Sequence, residues 1–385
     1  MGNTAVVVGG GIGGLAAAIG LRRIGWEVTV VERAPVLDDA GAGISLAANG
    51  LRALDELGVG EAVREASRGQ YSGGTRTPDG GWLTRMDGAA LEKAMGTPIM
   101  GIPRATLHRL LREPLPAEAL AIGSAAGSVQ QTDHGTVRVG CADTVLEADL
   151  VVAADGIGSR VRSLLFPAHP GPVYSGSTVL RAITEQAMEL RTDFELTWGR
   201  GAEFGHIAFQ DGRAEWHAVL NLPAGTRFAD PLAELRRRLR NWHDPIPALL
   251  DATRPADVLH HDVDELGTPL PSYTLGRIAL LGDAAHAMTP HLGQGACQAL
   301  EDAVTLAAAL ATEPGVEAAL ARYDAERRPR SQAVARAARQ AGRMGQQLSH
   351  PLAVALRNTA MRLTPARAAT RMILRHHAWN PPQLN

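Results

Sequence analysis

Gly9, Gly11 and Gly14 hold the G-x-G-x-x-G spacing directly after Thr4-Ala5-Val6-Val7-Val8 and directly before Leu15-Ala16-Ala17-Ala18-Ile19. An apolar β-branched run, a glycine turn and a helical pattern in that order read as strand, tight turn and helix. The turn suits a pyrophosphate: the first glycine makes the bend, the second lets phosphate approach the backbone, and the third packs helix on strand. The helix N-terminus adds unpaired N–H groups and the positive end of its dipole. A second strand, Glu27-Val28-Thr29-Val30-Val31, ends at Glu32, at the spacing of an acid that accepts adenosine ribose hydroxyls, and Arg33 is assigned to the same site. These residues predict a dinucleotide site and fit NAD and FAD equally.

Two later segments separate the cofactors. Asp149 to Ala154 reads as a buried strand that ends in Asp155-Gly156, with Ser159, Arg160 and Arg162 beyond it. Arg277 to Leu281 reads as another, ending in Gly282-Asp283-Ala284-Ala285-His286, followed by Pro290, Gly293-Gln294-Gly295 and a helical pattern from Ala296 to about Ala311. This order resembles the group A flavoprotein monooxygenases, which include the para-hydroxybenzoate and salicylate hydroxylases and FAD-dependent urate hydroxylase. The resemblance covers nearly the whole chain. It implies FAD as cofactor, NADH or NADPH as a transient reductant, and oxygen transfer from O₂ through a flavin C4a-hydroperoxide. It places Asp155 near the pyrophosphate and the path of NAD(P)H, Asp283 on the ribityl chain, Arg104 at the phosphate and ribityl region, and the backbone of Gly293, Gln294, Gly295, Ala296 and Cys297 at the flavin pyrimidine edge. Pro290 and His291 are implied to lie near the reactive edge, where Pro290 shapes the pocket and His291 departs from the usual residue.

The last of these segments has a physical logic of its own. Hydride transfer to FAD leaves negative charge near N1 and the C2 carbonyl, which a helix N-terminus stabilises. Glycines at 293 and 295 leave those amides uncovered. Cys297 beside them reads as a small buried filler before a reactive thiol.

Among residues able to move protons, two histidines stand out. Phe204 to Gln210 and Arg213 to Leu220 flank Asp211-Gly212, a strong hairpin signal. A two-residue turn pairs Gln210 with Arg213, Ala208 with Glu215 and His206 with His217, leaving Ile207, Phe209, Ala214, Trp216 and Ala218 on the other, apolar face. His206 and His217 would then flank a substrate and take a phenolic proton, or be ordinary surface residues. His286 reads as structural, and Arg181 as a candidate anchor for an anion or a surface residue. His260-His261-Asp262 does not read as a metal site, because neighbouring strand side chains point to opposite faces. No metal is expected.

The elements that must position these groups are interleaved. Residues 1–70, 101–172 and 271–345 carry the strand-helix alternation of an FAD-binding domain, 71–100 and 173–270 form a substrate domain, and 346–385 a C-terminal helical segment. The fold class is therefore α/β, a Rossmann-like FAD-binding domain with an interleaved β-sheet substrate domain and C-terminal helices. The arginines from Arg327 to Arg343 read as a solvated helix face, a cover for the FAD domain or a dimer contact. A net charge of -2 argues against nucleic acid, two cysteines argue against a disulfide framework, and no run is long enough to cross a bilayer. A cytoplasmic monomer or homodimer with no membrane partner is expected, acting with O₂ on a small, aromatic or heteroaromatic substrate. Epoxidation, Baeyer–Villiger chemistry and non-catalytic flavin binding remain alternatives. Halogenation is disfavoured, because Lys93 is the sole lysine and the Trp-x-Trp-x-Ile-Pro segment is absent.

Overall fold

In the computed structural model of the chain, residues 2–37, 42–141, 144–365, 368 and 374–384 are described. The strand Thr4–Val8 sits inside a six-stranded sheet, between Leu150–Ala153 on one side and Glu27–Glu32 on the other, both parallel to it. Ile278–Leu280 continues the sheet beyond Leu150–Ala153, and Leu120–Ile122 continues it beyond Glu27–Glu32. The β-branched runs read from the sequence are thus neighbours, buried on both faces as parallel strands require. Their carboxyl ends deliver Gly9, Glu32, Asp155 and Gly282 to one edge of the sheet, where ligands bind in folds of this class.

Two helices pack together behind that edge, Ile12–Arg23 and Gly295–Thr312. Their contact is made by small residues: a Cβ at Gly13 would lie 3.2 Å from that of Ala299, and one at Gly20 would lie 3.1 Å from that of Ala307. Such residues let helix axes approach closely, which fixes two helix N-termini near one another. Neither helix has an acid in its first turn or a capping side chain.

A second, seven-stranded sheet runs in the order Leu259–Glu265, Val173–Ile183, Ala214–Leu220, Ala202–Ala208, Phe194–Trp198, Gly73–Arg76, Trp82–Arg85. One face packs on helices Pro231–Leu239 and Ile246–Asp251 through Phe204, Trp216, Leu180, Leu232 and Leu249. Two smaller antiparallel sheets complete the β-structure of the described residues, Gly43–Leu46 with Ile99–Pro103 and Arg68–Gln70, and the strands Ala126–Gln131, Val137–Cys141 and Thr144–Ala148.

The hairpin register differs from expectation. Its loop has three residues, Gln210, Asp211 and Gly212, with Gly212 at φ +82 and Phe209 N–H donating to Arg213 O at 2.9 Å. A left-handed glycine closing a three-residue loop adds one residue to the turn. His206 therefore pairs with Trp216 and His217 with Gly205. Because side chains alternate, that single step sends the two histidines to opposite faces.

Candidate active site

The glycine turn is built for a ligand in one part and for packing in another. A Cβ at Gly14 would stand 1.9 Å from the carbonyl oxygen of Gly9, and one at Gly9 would stand 2.4 Å from that of Ala154. At Gly11 an added Cβ would meet no protein atom, nor would it at Gly156, Gly293 or Gly295. These four positions line open space above the strand ends, the cradle a dinucleotide needs. Gly14→Ala will consequently destabilise the protein itself. Gly11→Ala will keep the wild-type thermal midpoint of the apoprotein yet weaken FAD binding at least about tenfold, the size of effect expected when a methyl blocks backbone approach to phosphate. Thermal melting with and without FAD, alongside flavin fluorescence titration, checks both.

The carboxylates around this cradle have distinct partners. Glu32 accepts from Gly10 N–H at 2.7 Å and Ala34 N–H at 2.8 Å, which holds it at the end of its strand, with Arg33 exposed beside it. Asp155 is occupied differently from a free ligand group. It accepts from Ser159 Oγ at 2.5 Å and from the N–H groups of Arg160 and Val161, so it caps the helix Arg160–Leu165, while its backbone lies against Gly9. Buried Arg162 then donates to Ala284 O at 3.1 Å and Ile157 O at 2.6 Å, tying the two Asp-Gly and Gly-Asp segments together. Asp283 is open to solvent yet surrounded on most sides. Burial pushes its carboxyl above the ordinary range, opposed by His286 and by Arg104, whose charge faces it. The donor set of glycine amides, two bare helix N-termini, Arg104 and Asp283 fits FAD.

The segment after Gly282-Asp283 continues as the turn Pro290–Leu292, left-handed Gly293 at φ +60, Gln294, and the helix from Gly295. Pro290 and Gly293 are exposed, whereas Gln294 is buried. Beside Ala296, the Cys297 thiol is fully buried against Gly50, and burial raises it to about 12, so it is inert at neutral pH.

Beneath this loop lies a cluster that the sequence did not announce. Arg327 is 1% exposed and donates through Nε to Asp302 at 2.7 Å, through Nη1 to Glu301 and through Nη2 to Gln298 Oε1 at 2.8 Å. Glu301 also accepts from Arg330 and, at 2.7 Å, from Asn49, which donates to Gln294 Oε1 as well. Asp302 takes His286 Nε2 at 2.6 Å and Gly282 N–H at 2.9 Å. Burial opposes its charge, but His286 and Arg327 hold its carboxyl down at about 2. The signal available in the sequence was Glu301-Asp302 in the middle of an otherwise uncharged helix.

The face of the seven-stranded sheet opposite its helices carries His217. Its Nδ1 lies 3.3 Å from Glu215 Oε2 and its Nε2 lies 3.8 Å from Glu203 Oε1. Burial disfavours its charge, but the two carboxylates outweigh burial and raise its pKa, with neighbouring Arg181 opposing them. Arg181 pairs directly across from His217, and its buried Nε has no hydrogen-bond partner among the described residues. Gly205 opposite leaves room for the ring, since a Cβ there would sit 2.5 Å from His217 Nε2. His291, in the turn before Gly293, lies in the field of Glu203 and His217, and burial lowers its pKa. Thus His217, Arg181 and His291, from the turn before Gly293, converge. His206 does not join them. It is buried on the helix-packed face, its Nε2 3.2 Å from Thr192 O, and burial holds it at about 4, a neutral core residue and not one of a catalytic pair. His260 stacks on Phe228, and Asp262 binds Arg227.

Known proteins share this fold. The family model described as FAD binding domain matches residues 3–338. Aurachin C monooxygenase/isomerase of Stigmatella aurantiaca is 36% identical over 348 residues, covering 90% of each chain. The 6-hydroxynicotinate 3-monooxygenase of Pseudomonas fluorescens is 34% identical, covering 86% of this chain and 89% of its own. The crystal structure of Klebsiella pneumoniae HpxO complexed with FAD and uric acid superposes with a TM-score of 0.91 at 25% identity, over 99% of this chain and 97% of that one.

Proposed function

We propose that this chain, which belongs to the FAD binding domain family and is an FAD-dependent, NAD(P)H-consuming monooxygenase, hydroxylates a phenol or hydroxylated N-heteroarene that lacks a carboxylate. Bound FAD supplies hydride acceptance from NAD(P)H and activation of O₂ for transfer to an electron-rich ring. The observation that carries the substrate reading is the placement of His217 between Glu203 and Glu215. A benzoate-like anion brought to that imidazole would meet two carboxylates, and like charges at this range in a secluded site are costly. A ring O–H or lactam N–H suits it better. His217 accepts the proton, the flanking carboxylates stabilise the imidazolium that results, and the cation of Arg181 stabilises the oxyanion left on the ring. Ring activation by deprotonation is what oxygen transfer to an aromatic carbon needs. In support, FAD-dependent urate hydroxylases, named for a ring with lactam N–H groups and no carboxylate, are among the relatives, whereas the 6-hydroxynicotinate and 3-amino-4-hydroxybenzoate monooxygenases are named for carboxylated rings. The residue groups 71–100 and 173–270 form the substrate domain in this reading, and the protein acts as a monomer or homodimer in the cytoplasm.

The test is NAD(P)H oxidation by FAD-loaded protein with phenols, hydroxyquinolines and hydroxypyridines against matched benzoates and nicotinates, with mass analysis of products. Carboxylate-free hydroxyarenes will accelerate oxidation and yield products one oxygen heavier. Acceleration confined to the carboxylated compounds would overturn the substrate reading.

A further inference from the structure

Glu203 stands beside His217 without being bonded to it. Its Oε1 lies 3.8 Å from His217 Nε2, beyond the reach of a hydrogen bond, whereas Glu215 Oε2 lies 3.3 Å from Nδ1 on the other side of the ring. Nδ1–H therefore donates to Glu215, and the tautomer that this bond selects leaves the lone pair on Nε2. The nitrogen able to take a proton thus faces a second carboxylate. Left to itself, a buried carboxylate at this range would close the gap, because an imidazolium held between two carboxylates forms a charge-assisted hydrogen bond to each. A base in that state already has its proton.

The restraint on Glu203 comes from the neighbouring strand. Trp198 pairs directly across from it, and the indole Nε1–H donates to Glu203 Oε2. Glu203 is buried, so the loss of that donor would leave an oxygen that water does not readily serve. The indole is itself held on two sides. Gly345 backs it, since a Cβ there would stand 3.3 Å from Trp198 Cζ2. Arg357, the buried residue of the helix Pro351–Leu363, lies 5.2 Å over the ring and donates to Gly345 O at 2.7 Å.

We propose, resting on the reading of His217 as the base, that Trp198 is a positioning residue: its indole N–H holds Glu203 off His217 Nε2 and so keeps that nitrogen open to the substrate proton. The charged and titratable groups around the imidazole are Glu215 on its own strand, Glu203 and Arg181 on the two flanking strands and His291 in the turn before Gly293, with His206 across the sheet. Arg357 adds a cation in the field of Glu203. At 3.8 Å, Glu203 stabilises the imidazolium by charge once the substrate proton arrives. At hydrogen-bonding distance it would compete with the substrate for Nε2.

The experiment is heteronuclear NMR of the FAD-loaded protein labelled with stable isotopes at histidine, where the signal missing from His217→Asn identifies the His217 ring. In wild type the neutral ring will carry its proton on Nδ1. Trp198→Phe will raise the His217 midpoint by about one pH unit, hence about tenfold less neutral imidazole below it, as expected when an opposite charge closes on a titrating group. Glu203→Gln will lower the midpoint, and in that background Trp198→Phe will cause no further change. A tryptophan that served packing alone would act equally with and without the Glu203 charge. A neutral wild-type ring protonated on Nε2 would overturn the proposal, and that observation needs no Trp198 variant to fold. So would a Trp198→Phe midpoint that stays in place, falls, or moves equally in both backgrounds. The base reading is tested apart from this, by the kcat/KM profile of His217→Asn: a limb that persists there removes His217 as the base wherever its ring titrates.

Discussion

Replacing Arg327 by methionine will destabilise the protein by about 3–5 kcal/mol, the range for stripping one partner from a buried ion pair. Arg327 meets Asp302, Glu301 and Gln298 together, and all of them are buried. Without the guanidinium, Asp302 keeps His286 and the Gly282 N–H, and Glu301 keeps Arg330 and Asn49, so two carboxylates remain out of water with one cation fewer. Arg327→Lys will recover only part of the loss, since a point charge cannot serve three acceptors at once. The damage will also reach the cofactor, because Gly282 and Gln294 hang from the same cluster. Urea titration of apoprotein and FAD titration of the folded protein check the two effects separately. The exposed Arg336→Met serves as control, expected within about 0.5 kcal/mol of wild type. A shift no larger than that control would refute a structural role for the cluster.

His217→Asn will lower kcat/KM for coupled oxygenation by about 10²- to 10⁴-fold, the usual worth of a positioned acid-base group, while leaving FAD binding unchanged. The pH dependence gives a sharper reading than the loss. Only neutral imidazole accepts a proton, and the carboxylates of Glu215 and Glu203 overcome burial to raise the His217 pKa. In wild type, therefore, kcat/KM will rise with pH through a midpoint above the ordinary histidine value of about 6.5. Glu215→Gln will move that midpoint down, and His217→Asn will abolish the limb. His206→Asn will reduce stability but leave the limb in place, since burial already keeps that ring neutral near 4 and it faces the other side of the sheet. A profile that loses its limb in the His206 variant and keeps it in the His217 variant would reverse the assignment.

Much of the nucleotide-binding half was legible because its signals are local. A run such as Thr4–Val8 is a strand on its own chemistry. Gly9 and Gly14 announce a backbone that approaches itself within 2.4 Å and 1.9 Å of a would-be side chain, a demand no other residue meets. The order of Asp155-Gly156 and Gly282-Asp283 along the chain carried the family with it. The substrate half was legible only in outline. Asp211-Gly212 correctly marked a hairpin, yet whether Gln210 belonged to the strand or to the loop was decided by the left-handed Gly212 and its closing hydrogen bond. One residue of register separated a catalytic pair of histidines from one histidine among carboxylates and one core histidine on the opposite face.

Charge was the other matter that tertiary structure decided. Arg327 and Arg336 are the same residue type on one helix, Val316–Met344, and nothing local says that the first is buried against two carboxylates while the second is solvated. Their difference comes from what the neighbouring helix Gly295–Thr312 presents, Glu301 and Asp302, more than twenty residues earlier. Likewise, Glu203 and Glu215 alter His217 only because folding brings strand neighbours and alternate residues onto one face. Backbone requirements are written residue by residue and can be read that way. Coulomb energies depend on distance and dielectric, and the chain acquires both only when it folds.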